Sequence, residues 1–517
     1  MSMPELGKQG GVKKRSMFNR FLDWIEKYGN KLPDVLTLFA IFTGLILVSS
    51  FIAGRLKWSA VNPATDETIT AVNLLDGKGI VKILTEMVNN FMSFPPLGLV
   101  LVVMLGVGLA ESTGLVSAFM RRVVLASPKF LILPIIVLIG MLGNAAADAA
   151  LIVLPPIAAL VFMTLGRHPI AGLALGYAAV SGGFSANLIL NMLDALVAGF
   201  TISSAQIIDP NYDASPAMNY YFLFASTFVL LPVAVFVCSK IVEPRLGEYT
   251  LKAQVDTKTE LTKEEKRGLR WAGVSVVVFL VIMAFMTIPE NALLRNAETG
   301  SLVEESPFMQ GLVPLMLFFF FIPALFFGIG AKVIKSDKDV AEHLTKAMSG
   351  MGYYIVLAFI AAQMITYFNW SNLGSIIAIK GAAFLQSTGL TGLPMLIAFI
   401  LFCAVVNLLI ASSSAKWALL GPVFVPMFML LGYNPAFTQL AYRIGDSITN
   451  TITPMLAYFA ILLTFAKKYD PKMGVGTLMS VLLPYSIGFT IFWTLLFAVW
   501  YFLGLPLGPG EYIHLKN

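Results

Sequence analysis

Residues 407–454 read NLLIASSSAKWALLGPVFVPMFMLLGYNPAFTQLAYRIGDSITNTITP. Long apolar runs are interrupted twice here, by the small polar cluster 411–416 and by 445–450, where Asp446 stands in an otherwise hydrophobic passage. Unpaired backbone and ionised side chains are expensive in hydrocarbon, so they persist where they line a cavity or coordinate something. The stretch therefore reads as half of a site at membrane depth: a helical hairpin with its tip at 411–416, followed by a helix broken near Asp446.

The rest of the chain supports a membrane setting. Its 517 residues are 57% hydrophobic and 12% charged, with a mean hydropathy of +0.81, whereas soluble domains carry roughly 25% charged residues. Many apolar runs reach the ~20 residues of a spanning helix, and the short alternating strands of an outer-membrane barrel are missing. The fold class is an all-α polytopic membrane protein. The N-terminal KQGGVKKRSMFNR is basic, but no small-residue cleavage site precedes a soluble domain, so the run from Val35 is a retained first span. Cys238 and Cys403 both lie in apolar segments, which argues against a disulfide framework and a cysteine metal site. His168, His343 and His514 lack metal-ligand spacing. The net charge of +6 sits mainly in loops, where Lys and Arg set orientation. Nothing in it calls for a nucleic-acid partner.

By the positive-inside rule the lysines and arginines of residues 1–34 make this a cytoplasmic N-terminal segment. A transmembrane domain is expected over 35–503 and a periplasmic tail over 504–517. The expected spans are 35–54, 95–111, 169–200, 220–242, 271–288, 308–330, 351–385, 435–465 and 476–503. Residues 55–90 read as an outside loop with an amphipathic end, and LTKEEKRGLR (261–270) as a solvated helix. Three spans are interrupted, at SGGFSAN (181–187), at NWSN (369–372) and at 446–450. Two segments begin and end on one side and read as re-entrant hairpins, about 130–166 with its tip at 144–148, and about 393–432.

The halves repeat. ESTGL (111–115) answers QSTGL (386–390), MTLGRHP (163–169) answers MLLGYNP (429–435), and SANLILNML (185–193) answers ITNTITPML (448–456), in the same order. Repeats over about 80–200 and 350–465, with hairpin flanks on opposite sides, form an inverted pair. Secondary transporters use that pattern to place a site near the midplane between broken helices.

Each candidate residue has a plainer reading beside the functional one. Asp446 and Asn450, four apart, share a helix face or add oxygens to freed carbonyls, which suits a hard cation such as Na+; a structural ion pair of Asp446 with Arg443 or Lys416 is the plain alternative. Asn407 offers another oxygen or is a satisfied packing residue. Ser412, Ser413 and Ser414 present hydroxyls at a helix N-terminus suited to a carboxylate, or one of them caps the second arm. Trp417 stacks on an aromatic substrate or packs. Asp194 and Asp148 are the acids of the other half, and each is open to pairing with a cation. Pro435 and Pro454 kink the last broken span. An intramembrane enzyme using Asp148, Asp194 and Asp446 is the competing function, disfavoured because neither a HExxH motif nor a nucleophile elbow is present. A channel would need a continuous pore, which broken inverted repeats do not favour. With no GxxxxGK[ST] loop, coupling to an ion gradient is expected, with no organic cofactor.

At these residues the chain resembles the AbgT family, the p-aminobenzoyl-glutamate transporters and their antimetabolite-efflux relatives. The similarity runs from GNKLPD (29–34) through GLAES, GRHPIAG, IVEPRLG, FNWSNLG, PVFVPMFMLLGYNPAF and YRIGDSITN to GLPLGPG (504–510). It implies nine spans plus two re-entrant hairpins, a bowl-shaped homodimer in the bacterial inner membrane, and ion-coupled movement of p-aminobenzoyl-glutamate or related folate-pathway compounds. For efflux members it extends to sulfonamides and hence antibiotic resistance. The resemblance assigns Asp194, Ser414, Trp417, Pro435, Asp446 and Pro454 to substrate passage. It assigns Asn407, Ala411 through its carbonyl, Asp446 and Asn450 to a cation; the several oxygens that Asn450, Asn407 and the freed carbonyls offer put Na+ ahead of H+, which would need none of them. A glycine often found near Ala411 in the family is absent here, which a carbonyl ligand tolerates. Symport and antiport, import and export, stay open.

Overall fold

The computed structural model describes residues 33–61, 66–144, 149–249, 261–303 and 305–515. The basic stretch 1–32 and Asp148, at the first expected tip, lie outside the described residues. Helices dominate. The first, α1 (Val35–Arg55), starts at Asp34, whose side chain accepts the Leu36 N–H. A short hairpin of β1 (Ser59–Val61) and β2 (Thr68–Thr70) follows, antiparallel. It was not expected in the loop. The amphipathic end of that loop is α2 (Gly77–Met92), which leads into α3 (Pro95–Ser112), with Pro95 at the first turn where its missing N–H is harmless.

Next come α4 (Leu115–Leu125) and α5 (Ile132–Gly143), joined through Pro128 and bent against each other by 120°. Then follow α6 (Ala149–Thr164), α7 (Pro169–Ser181) and α8 (Met192–Ala205). α9 (Tyr220–Val237) continues as helix to Leu246. α10 (Lys263–Thr287) unites LTKEEKRGLR with the fifth expected span in one helix, because Thr262 and Glu265 form a capping box that starts it two turns early. α11 (Leu312–Gly330) and α12 (Asp337–Ser349) precede the second half. That half comprises α13 (Gly352–Trp370), α14 (Leu373–Ser387), α15 (Gly392–Leu409), α16 (Ser413–Met429), α17 (Pro435–Ile448), α18 (Ala457–Tyr469) and α19 (Val475–Leu503). Among the described residues, eight helices are long and apolar enough to cross a membrane, or nine if α4 and α5 count as one bent span. α15, the first arm of the second expected hairpin, is one of the eight.

The same backbone features recur at the matched positions of the two halves. Gly114 and Gly389 both adopt positive φ after the serine that ends α3 or α14, and Gly166 and Gly432 do so after α6 and α16. Only glycine takes that conformation without strain, which is why the halves share it. Pro169 and Pro435 then open α7 and α17, and the side chains of His168 and Asn434 cap them. Burial holds the His168 imidazole below its ordinary pKa, and its Nδ1 accepts the Ile170 N–H. The hairpin arms cross over: α16 packs on α8, and α6 packs on α18.

Burial separates the inside of the molecule from its rim. Every residue of α7 and of α17 is buried, whereas α10 buries only Gly268, Ala272 and Ser275. A helix with Thr438, Gln439, Arg443, Asp446 and Ser447 along it is therefore kept wholly within protein, where polar groups find partners that lipid cannot supply.

Two expected boundaries move. The helix α17 runs on to Ile448, so Asp446 lies in its last turn and the break spans the residues before α18. Pro454 lies within this break, where it removes a donor and keeps the residue before it out of helix. At the second tip, only Ile410 to Ser412 are non-helical. Ser412 is the N-cap, accepting the Ala415 N–H, and Ser413 to Lys416 form the first turn of α16.

Candidate functional site

The last turn of α17 brings two buried ion pairs side by side. Arg443 Nη1 donates to Asp194 Oδ1 of α8 at 2.6 Å, and Lys416 Nζ of α16 donates to Asp446 Oδ1 at 2.5 Å. All four side chains are essentially inaccessible. Arg443 and Asp446, three apart, are neighbours on one helix face. So α17 joins a helix of the first half to the hairpin of the second.

Around Asp446 the polar groups are densely paired. Lys416 Nζ also donates to Asn407 Oδ1. A lysine has only donors, so the atom of Asn407 facing it is the oxygen, and the amide nitrogen points the other way. That nitrogen lies 2.7 Å from the Asp446 carbonyl, 2.8 Å from Asn450 Oδ1 and 2.9 Å from Thr449 Oγ1. The end of α17 is closed further by Ser486, whose hydroxyl donates to the Ile448 carbonyl at 2.6 Å. Carbonyls left over at a helix end need such partners when no water is near.

Trp417 is fully buried. Its ring stacks on Tyr442, centroids 4.4 Å apart and planes at 22°, and its Nε1 donates to Thr201 Oγ1 at 2.8 Å. Thr201 donates in turn to Gln439 Oε1, and Gln439 Nε2 to Asn219 Oδ1, both at 2.6 Å. The Tyr442 hydroxyl donates to the Ser413 carbonyl at 2.6 Å and lies 3.3 Å from Asp446 Oδ1. Ser414 is half-buried, its Oγ 3.2 Å from that of Ser412.

The first half's break is organised on Asp194. Its Oδ2 accepts the Asn191 N–H at 2.8 Å in a capping box that starts α8. Arg443 Nε donates to Ser185 Oγ at 3.3 Å. Three buried donors in this region, Arg443 Nη2, Asn187 Nδ2 and Asn191 Nδ2, have no partner among the described residues. Native interiors rarely leave such donors unmet without a reason.

The structure thus gathers Asn407, Asp446 and Asn450 into one network, with Trp417 next to it through Tyr442 and Asp194 next to it through Arg443. Ala411 sits half-buried at the tip and Pro454 half-buried in the break. Pro435 is not near them: it opens α17, eleven residues and about 16 Å from Asp446 at 1.5 Å per residue. Tyr442, Thr201 and Gln439 were not singled out in the sequence. Tyr442 was findable, being one turn before Asp446, but the Trp417–Thr201–Gln439 chain joins distant segments and has no local signal.

A Na+ ion at Asp446 would need several free oxygens. As folded, the residues do not fit it. Asn407 Oδ1 and Asp446 Oδ1 are both engaged by Lys416, and Asn450 Oδ1 by the Asn407 amide. Among the described residues no cluster of His, Cys, Asp and Glu has metal-binding geometry.

A cavity of about 810 Å³ opens among α4, α5, α10 and α11. It reaches Gly143 and Ile189, beside the first tip and the first break, and is walled by apolar side chains such as Phe319 and Phe320. Exposed Arg122, Lys266 and Arg270 stand along it. It does not touch Trp417 or Asp446.

A membrane-embedded helical protein with a deeply buried polar site where broken helices cross belongs to the class of transporters. Comparison with known proteins makes this specific. The model of the AbgT putative transporter family matches residues 20–515. The p-aminobenzoyl-glutamate transport protein of Escherichia coli (strain K12) is 37% identical over 505 residues, covering 98% of this chain and 99% of that one. The crystal structure of the Alcanivorax borkumensis YdaH transporter superposes with a TM-score of 0.89 at 40% identity, over 92% of this chain and 100% of that one. MtrF of Neisseria gonorrhoeae, described as illuminating a class of antimetabolite efflux pumps, gives 0.90 at 45%, over 95% and 100%. The chain belongs to the AbgT family of transporters, and it is not an enzyme.

Proposed function

We propose that the protein is an ion-coupled secondary transporter of p-aminobenzoyl-glutamate or related folate-pathway compounds, with sulfonamide antimetabolites within its export range. The observation that carries this reading is the set of unpartnered buried donors around Asp194: Arg443 Nη2, Asn187 Nδ2 and Asn191 Nδ2. Such donors suit a carboxylate, because Arg443 Nη2 supplies a charged N–H and the two amides add directed neutral ones. The cationic, apolar-walled cavity beside the first tip suits an anion with an aromatic body on its way to that place. The names of the relatives point to the same chemistry.

Asp446 is the group through which an ion gradient acts in this reading. A proton asks for no cage of free oxygens, so H+ is favoured over Na+ by the way Asn407 and Asn450 are engaged. The protein works in the bacterial inner membrane as a homodimer, N-terminus cytoplasmic and C-terminus periplasmic; the weakly buried, apolar α10 offers surface for lipid or a second copy. Flux of p-aminobenzoyl-glutamate and of a sulfonamide in proteoliposomes, with H+ and Na+ gradients imposed separately, tests coupling and direction together. Gradient-driven flux is expected for wild type and its loss for Asp446→Asn. Equal flux without any gradient would reject the coupling.

A further inference from the structure

We propose that Lys416 is a tethered cation that holds the place a metal ion would need at Asp446, so that this chain binds no Na+ there. The inference starts from position. Lys416 is the fourth residue of α16, and its side chain is fully buried. Its ammonium meets Asp446 Oδ1 at 2.5 Å and Asn407 Oδ1, two of the oxygens from which a cation cage would be built. A third, Asn450 Oδ1, accepts from the Asn407 amide nitrogen at 2.8 Å, and that nitrogen also faces the Asp446 carbonyl. To admit a metal ion, Lys416 would have to leave both Asp446 Oδ1 and Asn407 Oδ1, and the Asn407 amide nitrogen would have to release Asn450 Oδ1.

Charge leads to the same result independently. Buried Asp446 and Asp194 are answered by buried Lys416 and Arg443, and the four formal charges cancel. A further cation beside Asp446 would leave a net positive charge among side chains that are 0–2% exposed. Burying an uncompensated charge is among the most unfavourable changes a protein interior can suffer. Lys416 therefore decides which ions the site answers to, and neutral shortening or replacement of this one side chain should turn an ammonium seat into a sodium seat.

The test is equilibrium binding of radioactive ²²Na+ to purified, detergent-solubilised full-length protein, with no transport substrate present. Failure of the substrate assignment would thus leave this result untouched. Wild type is expected to show no saturable, Asp446-dependent ²²Na+ binding. Lys416→Met, which keeps length and apolar volume but removes the charge, is expected to gain saturable binding, and Lys416→Met with Asp446→Asn to lose it again. Saturable binding by wild type that Asp446→Asn abolishes would overturn the proposal, as would a monodisperse, fully helical Lys416→Met that binds none. If Lys416→Met does not fold, wild type against Asp446→Asn decides it alone: Asp446-dependent binding refutes, and its absence supports.

Discussion

At the scale of single residues, the Asp194–Arg443 pair separates what is structural from what handles substrate. Both groups are buried, and removing one partner of such a pair typically costs about 3–5 kcal/mol because the other charge is stranded. Arg443→Met alone should therefore lower the unfolding temperature strongly, and Asp194→Asn with Arg443→Met should recover much of the loss. Thermal unfolding in detergent of the two singles and the double closes the cycle. A double variant that is stable but no longer binds p-aminobenzoyl-glutamate would locate the anion contact at Arg443. Trp417 is the second case. Its indole has one face on Tyr442 and its N–H on Thr201, so Trp417→Phe keeps the stack and gives up one hydrogen bond, about 1 kcal/mol. A change of that size in stability with unchanged KM would mark the ring as packing; a rise in KM beyond it would mark contact with substrate.

At the scale of elements, most helices and breaks were legible in the sequence, because apolar runs of spanning length and their polar interruptions are local facts. Exact ends were less visible. The break after α17 lies later than the polar cluster at Asp446, since the helix runs past its polar residues to Ile448 and the next one begins only at Ala457. Lys416 and Arg443 were both legible as possible partners of Asp446, but which one pairs with it depends on how α16 and α8 approach α17, a tertiary fact. Gly445 records a different approach, that of α15 to α17. A Cβ there would lie 2.4 Å from the Ile400 carbonyl oxygen and 2.6 Å from the Cys403 Cβ of α15, closer than packed atoms allow. Gly445→Ala should push α17 off α15, cost about 1–3 kcal/mol, and disturb Asn407, which lies on α15. Loss of transport together with a lowered unfolding temperature is the expected outcome; a variant with wild-type values of both would show that the two helices are not held this tightly.

At the scale of the whole molecule, the matched glycines, prolines and caps of the two halves argue that one structural unit was used twice, and the remaining question is how the copies face the membrane. The positive-inside reading puts the end of α6 in the cytoplasm and the end of α16 outside. The C-terminal tail lies at that second end: Leu515 N–H donates to the Gly432 carbonyl at 3.1 Å and Asn434 N–H to the Ile513 carbonyl at 2.9 Å. Gly166 and Gly432 themselves are poor places for a probe, because their positive φ would strain any cysteine put there. Thr164 and Tyr512 are exposed and mark the same two ends. In a chain freed of Cys238 and Cys403, both of which are buried, Thr164→Cys should react with a membrane-impermeant maleimide only after cells are opened, and Tyr512→Cys in outer-membrane-permeabilised cells with the inner membrane intact. Reaction of both from the same side would mean that the halves run parallel. The broken helices would then not be related by an axis in the membrane plane, and the alternating-access reading built on that axis would fall with it.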